Sequence, residues 1–423
     1  MIIRGSFGNL FGAFRGQNLR TLFRQSPEEL VIALVLLALM AGVVAYVVRL
    51  YFTYFYAEQF TRYPTPIAKS LRRAIYYSNY RPDPKLALKY WRLALEQCDQ
   101  HHLDPFSDDV TGIKIQLAAW LEKIGNYDGA IKVLETLLSD CKRWVELMET
   151  SVKEGKVAQN EATLLPPSNL LPDTREGKAN TKPETLWGKR TRLLGKCVGI
   201  SVKLGELYAD EHVLKEEKAH ERLTWAVETA LGEFRRRTVE GLKEGEGQWM
   251  NAEAIGGALE SLGHSYERKG QFHLALPLFF QALRLCQDQC HMAVLMNNLA
   301  ISFAQHPLHA PYETLEGILP ATEKEGESSP TPKQQTREEL LESAKRWAKN
   351  AYQHAKEPTG DKRTPECDEA CAVALINLGD IAVLTGSADE ARRRYEKGLN
   401  LSKKLGFPEG LKQAEAGLRQ LAQ

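Results

Sequence analysis

The stretch from Gly256 to Leu285 constrains the fold more than any other part of this chain. At helical spacing, large and small residues share one face on either side of a turn at Gly270. The residues concerned are Leu262, Gly263 and Tyr266 before the turn, and Ala275, Phe279 and Ala282 after it. Two helices cross closely only where one of them offers a small side chain, so we expect Gly263 and Ala275 to accept Phe279 and Tyr266. The stretch is therefore predicted to fold as a helix hairpin.

Alternation of large and small contacts across a hairpin is typical of the tetratricopeptide repeat (TPR), and we find five more stretches of this kind. Their first helices carry the sets Leu71, Ala74, Ile75; Leu117, Ala118, Leu121; Leu204, Gly205, Tyr208; Leu299, Ala300, Phe303; and Leu378, Gly379, Ala382. One hairpin cannot bury both of its faces, so the units must stack. We predict an all-α fold, a TPR superhelical solenoid of about six helix hairpins whose first helices line a concave groove.

A charge-free run precedes the repeats. The sequence LVIALVLLALMAGVVAYVV, from Leu30 to Val48, is long enough at ~1.5 Å per residue to cross a hydrocarbon core of ~30 Å. The aromatic residues that follow are typical of a membrane interface: Tyr51, Phe52, Tyr54, Phe55 and Tyr56. We therefore predict one transmembrane helix over residues 30–50.

The tail before this run, residues 1–29, is basic and aromatic. Four arginines occur in it, and no acidic residue appears before Glu28. This composition indicates a mitochondrial targeting segment, although an uncleaved signal anchor of the secretory pathway also fits. Arginines and lysines on both sides of the apolar run leave the membrane orientation undecided.

Two insertions interrupt the predicted repeats. Repeats 1 and 2 are predicted over residues 65–150, a flexible insertion over 151–185, and repeats 3 to 6 over 186–405 with a second insertion at 305–335. A shorter break is predicted over 235–251. The first insertion is rich in Pro, Asn, Lys and Glu and cannot bury enough apolar surface to order itself. A polar amphipathic helix within residues 406–423 is predicted to cap the stack.

No catalytic chemistry is evident in the sequence. It contains no nucleophile elbow, phosphate-binding glycine loop or HExxH helix, so we predict no enzyme activity, no cofactor and no metal. Lys and Arg total 55 against 54 Asp and Glu, which gives no global field for nucleic acid. The triple arginine at 235–237 is interpreted as a solvated helix face.

Two pairs of cysteines occur at helical i, i+4 spacing. They are Cys286 with Cys290 and Cys367 with Cys371. Each pair could lie on one helical face and oxidise in a compartment with thiol-oxidising machinery. Core packing and, more remotely, a metal site are the alternatives, because cysteine is among the most buried residue types.

The concave groove is the predicted site of function. The residue before the Leu of each Leu-Gly pair, or its counterpart, points into it, and an amide there can both donate to and accept from an extended peptide backbone. Our candidates for peptide or client binding are Asn298, Asn377, His264, Gln116 and Lys203. A merely solvated polar inner face is the alternative.

The order of parts resembles one known family. An Arg- and Phe-rich start, a single span, an aromatic stretch, the segment SLRRAIYYSNYRPDPKLALKYWRLALEQ and degenerate TPRs with long insertions are together similar to the fungal TPR adaptor of the mitochondrial i-AAA protease. The resemblance implies a single-pass inner-membrane protein with its C-terminal domain in the intermembrane space. It implies an AAA protease and a second membrane adaptor as partners, and unfolded or misassembled membrane proteins as clients.

We therefore predict a membrane-anchored TPR adaptor for protein quality control, which recruits such clients to the i-AAA protease. The alternative from another class is a TPR assembly or quality-control factor for a respiratory-chain complex. Capture of unfolded clients would support the adaptor, and binding of a folded subunit would support the assembly factor.

Overall fold

The computed structural model describes residues 27–51, 63–155, 184–308 and 336–422. All regular elements in these ranges are helices, so the all-α fold class is confirmed. In chain order they are α1 (Pro27–Tyr51), α2 (Thr65–Ile75), α3 (Pro84–Gln100), α4 (Asp108–Lys123), α5 (Tyr127–Lys153), α6 (Leu186–Ala209), α7 (Glu216–Glu240), α8 (Ala252–Arg268), α9 (Phe272–Leu285), α10 (Gln289–Ala304), α11 (Arg337–Lys356), α12 (Pro365–Leu384), α13 (Ala388–Leu405) and α14 (Pro408–Leu421). A π-helical turn, Tyr76–Tyr80, extends α2, and a 3-10 turn, Gly360–Lys362, precedes α12.

The chain forms two compact units, Met1–Ile113 and Lys114–Gln423. In the first unit, α2 packs on α3. Asp83 caps α3 by accepting hydrogen bonds from the backbone N–H groups of the next turn, and Pro84 occupies the first helical position. Trp91 is buried between the two helices, and its Nε1 donates to Ser78 Oγ at 3.2 Å.

The described part of the chain holds no helix that meets the combined length and hydropathy requirement of a membrane span. The predicted transmembrane helix is therefore not supported by the structure. Helix α1 covers this region, and its side chains from Val35 to Arg49 are exposed. Of the predicted targeting tail, residues 1–26 lie outside the described residues.

In the second unit, each helix from α5 to α14 packs against the next one along the chain. First helices of successive hairpins also touch, because α6 contacts α8 and α10 contacts α12, and α12 contacts the C-terminal helix α14 as well. This nearest-neighbour pattern is that of a solenoid of helix hairpins. The turns of the fourth and sixth hairpins require glycine, since Gly270 and Gly386 have φ values of 70° and 73°.

Close approach within a hairpin depends on a helical glycine. A Cβ added at Gly263 would lie 2.7 Å from the Phe279 ring, and one at Gly379 would lie 2.6 Å from the Tyr395 ring. Phe279 is fully buried, as are Ala275 and Ala282 on the same helix face. Leu262 is also buried, whereas Tyr266 is half-buried and meets the His220 ring edge-on. Gly263 and Phe279 therefore meet between α8 and α9 as predicted, whereas the Tyr266 ring meets a side chain of α7.

Helices α5 and α7 are longer than the pattern indicates. Helix α5 continues through Lys153, and residues 156–183 of the predicted first insertion lie outside the described residues. Residues 309–335 of the second insertion lie outside them too. After it, Thr336 and Glu339 form a capping box that begins α11, and its alanines 344, 348 and 351 are buried. The predicted break at 235–251 is wrong in its first part, because α7 continues to Glu240.

Candidate functional site

The first helices of the fourth to sixth hairpins carry a polar cluster, here called the inner-face cluster: Glu260, His264, His291, Asn298 and Glu366. The Glu260 carboxylate accepts a hydrogen bond from His291 Nε2 at 2.8 Å, and His291 Nδ1 lies 2.8 Å from Glu366. Asn298 Nδ2 lies 3.3 Å from His264 Nε2 and 3.4 Å from Glu260. Three first helices, α8, α10 and α12, are thus linked through side chains.

Helix caps place these side chains. Asp288 caps α10 by accepting from the His291 N–H at 2.9 Å, which fixes His291 in the first turn. Pro365 opens α12, so Glu366 is also in a first turn. Glu260 and His264 are one turn apart on α8 and therefore share a face.

The two histidines of the inner-face cluster are cations at neutral pH. Burial lowers the pKa of His264, but hydrogen bonds to Glu260 and Glu267 outweigh it and raise the pKa to about 9. The hydrogen bond to Glu260 raises the pKa of His291 to about 9 despite its burial. Burial favours neutral Glu260, yet hydrogen bonds from both imidazoles lower its pKa to about 2. The cluster is therefore a network of ion pairs.

The two candidate asparagines are occupied in different ways. Asn298, 9% exposed, belongs to the inner-face cluster. Asn377, 5% exposed, donates from Nδ2 to Asn297 Oδ1 at 3.3 Å, and Asn297 donates to the Ala370 carbonyl at 3.0 Å. Asn377 therefore helps to hold α12 against α10. Sequence reasoning missed Asn297, although it directly precedes a candidate.

The structure places the other candidates elsewhere on the second unit. Lys203 Nζ lies 2.9 Å from Glu122 and 3.5 Å from Glu206. Burial lowers the pKa of Lys203, but its hydrogen bond to Glu122 and the two carboxylates give a net rise. Gln116 is exposed on α4. Within the described ranges neither side chain forms a hydrogen bond or an ion pair with Asn298 or Asn377, whereas His264 and Asn298 are in contact.

A disulfide joins the first helices of the fifth and sixth hairpins, α10 and α12. Cys290 is bonded to Cys367, 77 residues away, and neither i, i+4 pair considered from the sequence is formed. Cys286 is a half-buried free thiol and Cys371 a buried one. The neighbouring His291 and Glu366 form the ion pair described above, so the first turns of α10 and α12 are connected twice.

A groove, here called the C-terminal groove, lies between α10, α12 and α14. It consists of an inner cavity of 420 Å³ and an outer cavity of 580 Å³, which share Ala304, Gln305, Asp380, Leu384 and Gln420. Its apolar wall includes Ile301, Val373 and Ile376, and Asn377 lies among them. This groove has the size and the mixed lining of a ligand-binding cleft.

A buried charge network lies away from both sites. Glu233, 5% exposed, accepts hydrogen bonds from Arg190, Arg236 and Arg237 at 2.7 to 3.1 Å. Arg236 also pairs with Glu246, which the loop after α7 brings back. Burial would raise the pKa of Glu233, but these hydrogen bonds lower it to about 2. The interpretation of residues 235–237 as a solvated face is therefore wrong for Arg236 and Arg237.

Within the residues that the structure describes, no group of three or more His, Cys, Asp or Glu side chains is arranged to hold a metal ion. The arrangement found on the inner face is instead one of hydrogen-bonding amides, ion pairs and an apolar groove. Such a surface can bind a polypeptide without covalent chemistry.

Residues 258–289 match the family described as tetratricopeptide repeat. A TPR repeat-containing protein from Schizosaccharomyces pombe is 24% identical over 352 residues, which cover 82% of this chain and 76% of that protein. Among solved structures, the crystal structure of BtubC (BKLC) from P. vanneervenii covers 81% of this chain and 91% of its own, with 12% identity and a TM-score of 0.42.

Two Saccharomyces cerevisiae proteins are similar over shorter stretches. The mitochondrial inner membrane i-AAA protease supercomplex subunit MGR3 is 31% identical over 117 residues, which are 27% of this chain and 22% of MGR3. The protein MRG3-like is 32% identical over 100 residues, or 22% of this chain and 20% of that protein. The chain thus spans only about a fifth of the length of these two relatives. It contains a tetratricopeptide repeat and is similar in part to an i-AAA protease supercomplex subunit.

Proposed function

We propose that this protein is a membrane-anchored TPR adaptor that binds unfolded or misassembled membrane-protein segments and recruits them to the mitochondrial i-AAA protease. The C-terminal groove carries the proposal, because its apolar wall and amide side chains suit an extended polypeptide. The protease is proposed as partner because of the similarity to MGR3. A second membrane adaptor would complete the assembly, and the adaptor itself would have no catalytic activity.

Membrane attachment would come from residues 30–50. The sequence Leu30–Val48 has no charge, and the exposed side chains of α1 there are mostly apolar. The disulfide between Cys290 and Cys367 favours an oxidising compartment for the second unit, since disulfides are rare in proteins of reducing compartments. We therefore place the C-terminal domain in the intermembrane space in this proposal.

Partner identity and client binding can be tested separately. Crosslinking of the detergent-solubilised protein should capture a hexameric AAA protease; capture of a respiratory complex instead would favour the assembly-factor alternative. In a binding assay, the full chain should retain a denatured membrane-protein segment and ignore the same protein when it is folded. Retention of only the folded form would contradict client recruitment.

A variant of the groove should lose client binding. Val373 lies on its apolar wall, so Val373→Glu places a charge against any apolar segment and should weaken binding about tenfold. Leu147→Glu is the matched control, because Leu147 is 59% exposed on α5 and does not line the groove. Equal loss in both variants would argue against this groove as the binding site.

A further inference from the structure

Asp380 places a carboxylate in the inner cavity of the C-terminal groove. The Tyr395 hydroxyl donates a hydrogen bond to its Oδ1 at 2.6 Å, and no cationic side chain of the described ranges forms an ion pair with it. Although Asp380 is exposed, the protein atoms around its carboxyl group raise its pKa, and the hydrogen bond from Tyr395 acts in the opposite direction. Asp380 is exposed to solvent at the wall of the groove, and a carboxylate there that has no cation as partner is complementary to a ligand that brings positive charge.

The rest of the inner cavity lacks charge. Among the described residues that line it, Asp380 alone is ionisable at neutral pH. The apolar residues Ile301, Val373 and Ile376 contribute to its wall. Amides also line it: Gln305, Asn377, Gln413 and Gln420. Amides can pair with the N–H and C=O groups of an extended backbone, and the apolar wall suits aliphatic side chains.

Arg337 does not neutralise this cavity. It lines the outer cavity, as Asp380 also does, but no ion pair joins the two within the described ranges, and Arg337 Nη1 donates to the His306 carbonyl oxygen at 3.5 Å. It is not among the residues that line the inner cavity. The inner cavity therefore keeps one negative charge within an otherwise neutral, mainly apolar lining, which is complementary to a single cation.

We propose that the C-terminal groove selects extended apolar polypeptide segments that carry one lysine or arginine, whose positive charge pairs with Asp380. The inference rests on the proposed function and specifies the chemistry of the client. In this proposal the amide side chains form hydrogen bonds with the backbone of the peptide, and the apolar wall contacts its aliphatic side chains. The Asp380 carboxylate favours a peptide with a positive charge.

Fluorescence anisotropy with the detergent-solubilised full chain tests the proposal. Three labelled peptides of identical apolar sequence carry lysine, norleucine or glutamate at one central position. The lysine peptide should bind about two- to fivefold more tightly than the norleucine peptide, as expected for one exposed ion pair, and the glutamate peptide should bind most weakly.

The substitution Asp380→Asn removes the charge while keeping an oxygen that can accept from Tyr395. It should lower affinity for the lysine peptide about two- to fivefold and leave affinity for the norleucine peptide unchanged. Asp389→Asn, at an exposed position on α13 outside the groove, is the matched control and should change neither affinity.

Two outcomes would overturn the proposal while leaving client recruitment intact. One is equal affinity for the three peptides, and the other is an equal loss for the lysine and norleucine peptides in Asp380→Asn. If the full chain binds neither the peptides nor a denatured membrane-protein segment, the proposed function fails together with this inference.

Discussion

Gly263 controls how closely α8 and α9 pack. A methyl group at this position would lie 2.7 Å from the ring of Phe279, which is fully buried and has little room to move. The Phe279 ring therefore fits between the two helices only because position 263 has no side chain. Gly379 and Tyr395 repeat the arrangement in the sixth hairpin.

We expect Gly263→Ala to destabilise the second unit. Forcing Phe279 aside should lower the free energy of unfolding by about 1–3 kcal/mol and reduce the thermal midpoint, measured by circular dichroism. Gly257→Ala on the same helix is the control, because a Cβ there would meet nothing within 4 Å. It should raise stability by about 0.5–1 kcal/mol through helix propensity. Equal effects of the two substitutions would contradict the steric explanation.

At the scale of elements, the first turns of α10 and α12 are tied by the disulfide between Cys290 and Cys367. The bond closes a loop that includes α11 and residues 309–335. Cross-linking positions this far apart restricts the unfolded chain, which stabilises the folded form. Helices α10 and α12, which line the C-terminal groove, are thereby held together at their N-terminal ends.

Removal of this bond should weaken the pair of helices. We expect the double substitution Cys290→Ser with Cys367→Ser to lower the free energy of unfolding by about 2–4 kcal/mol and to make the thermal midpoint insensitive to reductant. Cys286→Ser, at a half-buried free thiol, should keep the reductant sensitivity of the natural protein. If both thiols of the purified, unreduced protein react with an alkylating agent after denaturation, the bond is absent and the expectation fails.

Local patterns predicted the helices well because their signals lie within a few residues of one another. The set Leu262, Gly263 and Tyr266 is contained in two turns of α8, and the set Leu378, Gly379 and Ala382 is contained in two turns of α12. Contacts between distant residues were not predictable in this way. The pairing of Cys290 with Cys367 requires knowledge of which helix ends face each other across successive hairpins.

The candidate site shows the same limit. Asn377 was identified from its place in the repeat, but the spacing of residues did not reveal that its amide would be satisfied by Asn297. Arg236 was wrongly predicted to be solvated, because the loop that follows α7 folds back and brings Glu246 next to it. Asp380 drew no attention in the sequence, since its importance comes from the cavity that α10 and α14 complete around it.

At the scale of the whole molecule, the proposed membrane helix over residues 30–50 and the proposed location in the intermembrane space can be tested together. Leu36 and Met40 are 61% and 65% exposed on α1, so arginines there leave the folded units untouched. In a membrane-spanning helix, each central arginine costs about 2.5–3.5 kcal/mol. We therefore expect the natural chain to resist alkaline extraction from mitochondrial membranes, and the double variant Leu36→Arg with Met40→Arg to be released.

Tyr80→Arg, at a position 78% exposed outside the apolar run, is the control for added surface charge and should stay in the membrane fraction. In intact mitochondria the TPR units should resist added protease, and rupture of the outer membrane should expose them. A natural chain that alkali extracts as readily as the double variant would contradict the anchor. Units that stay protected after the outer membrane is ruptured would place them in the matrix, where the link between Cys290 and Cys367 would be exposed to reducing conditions.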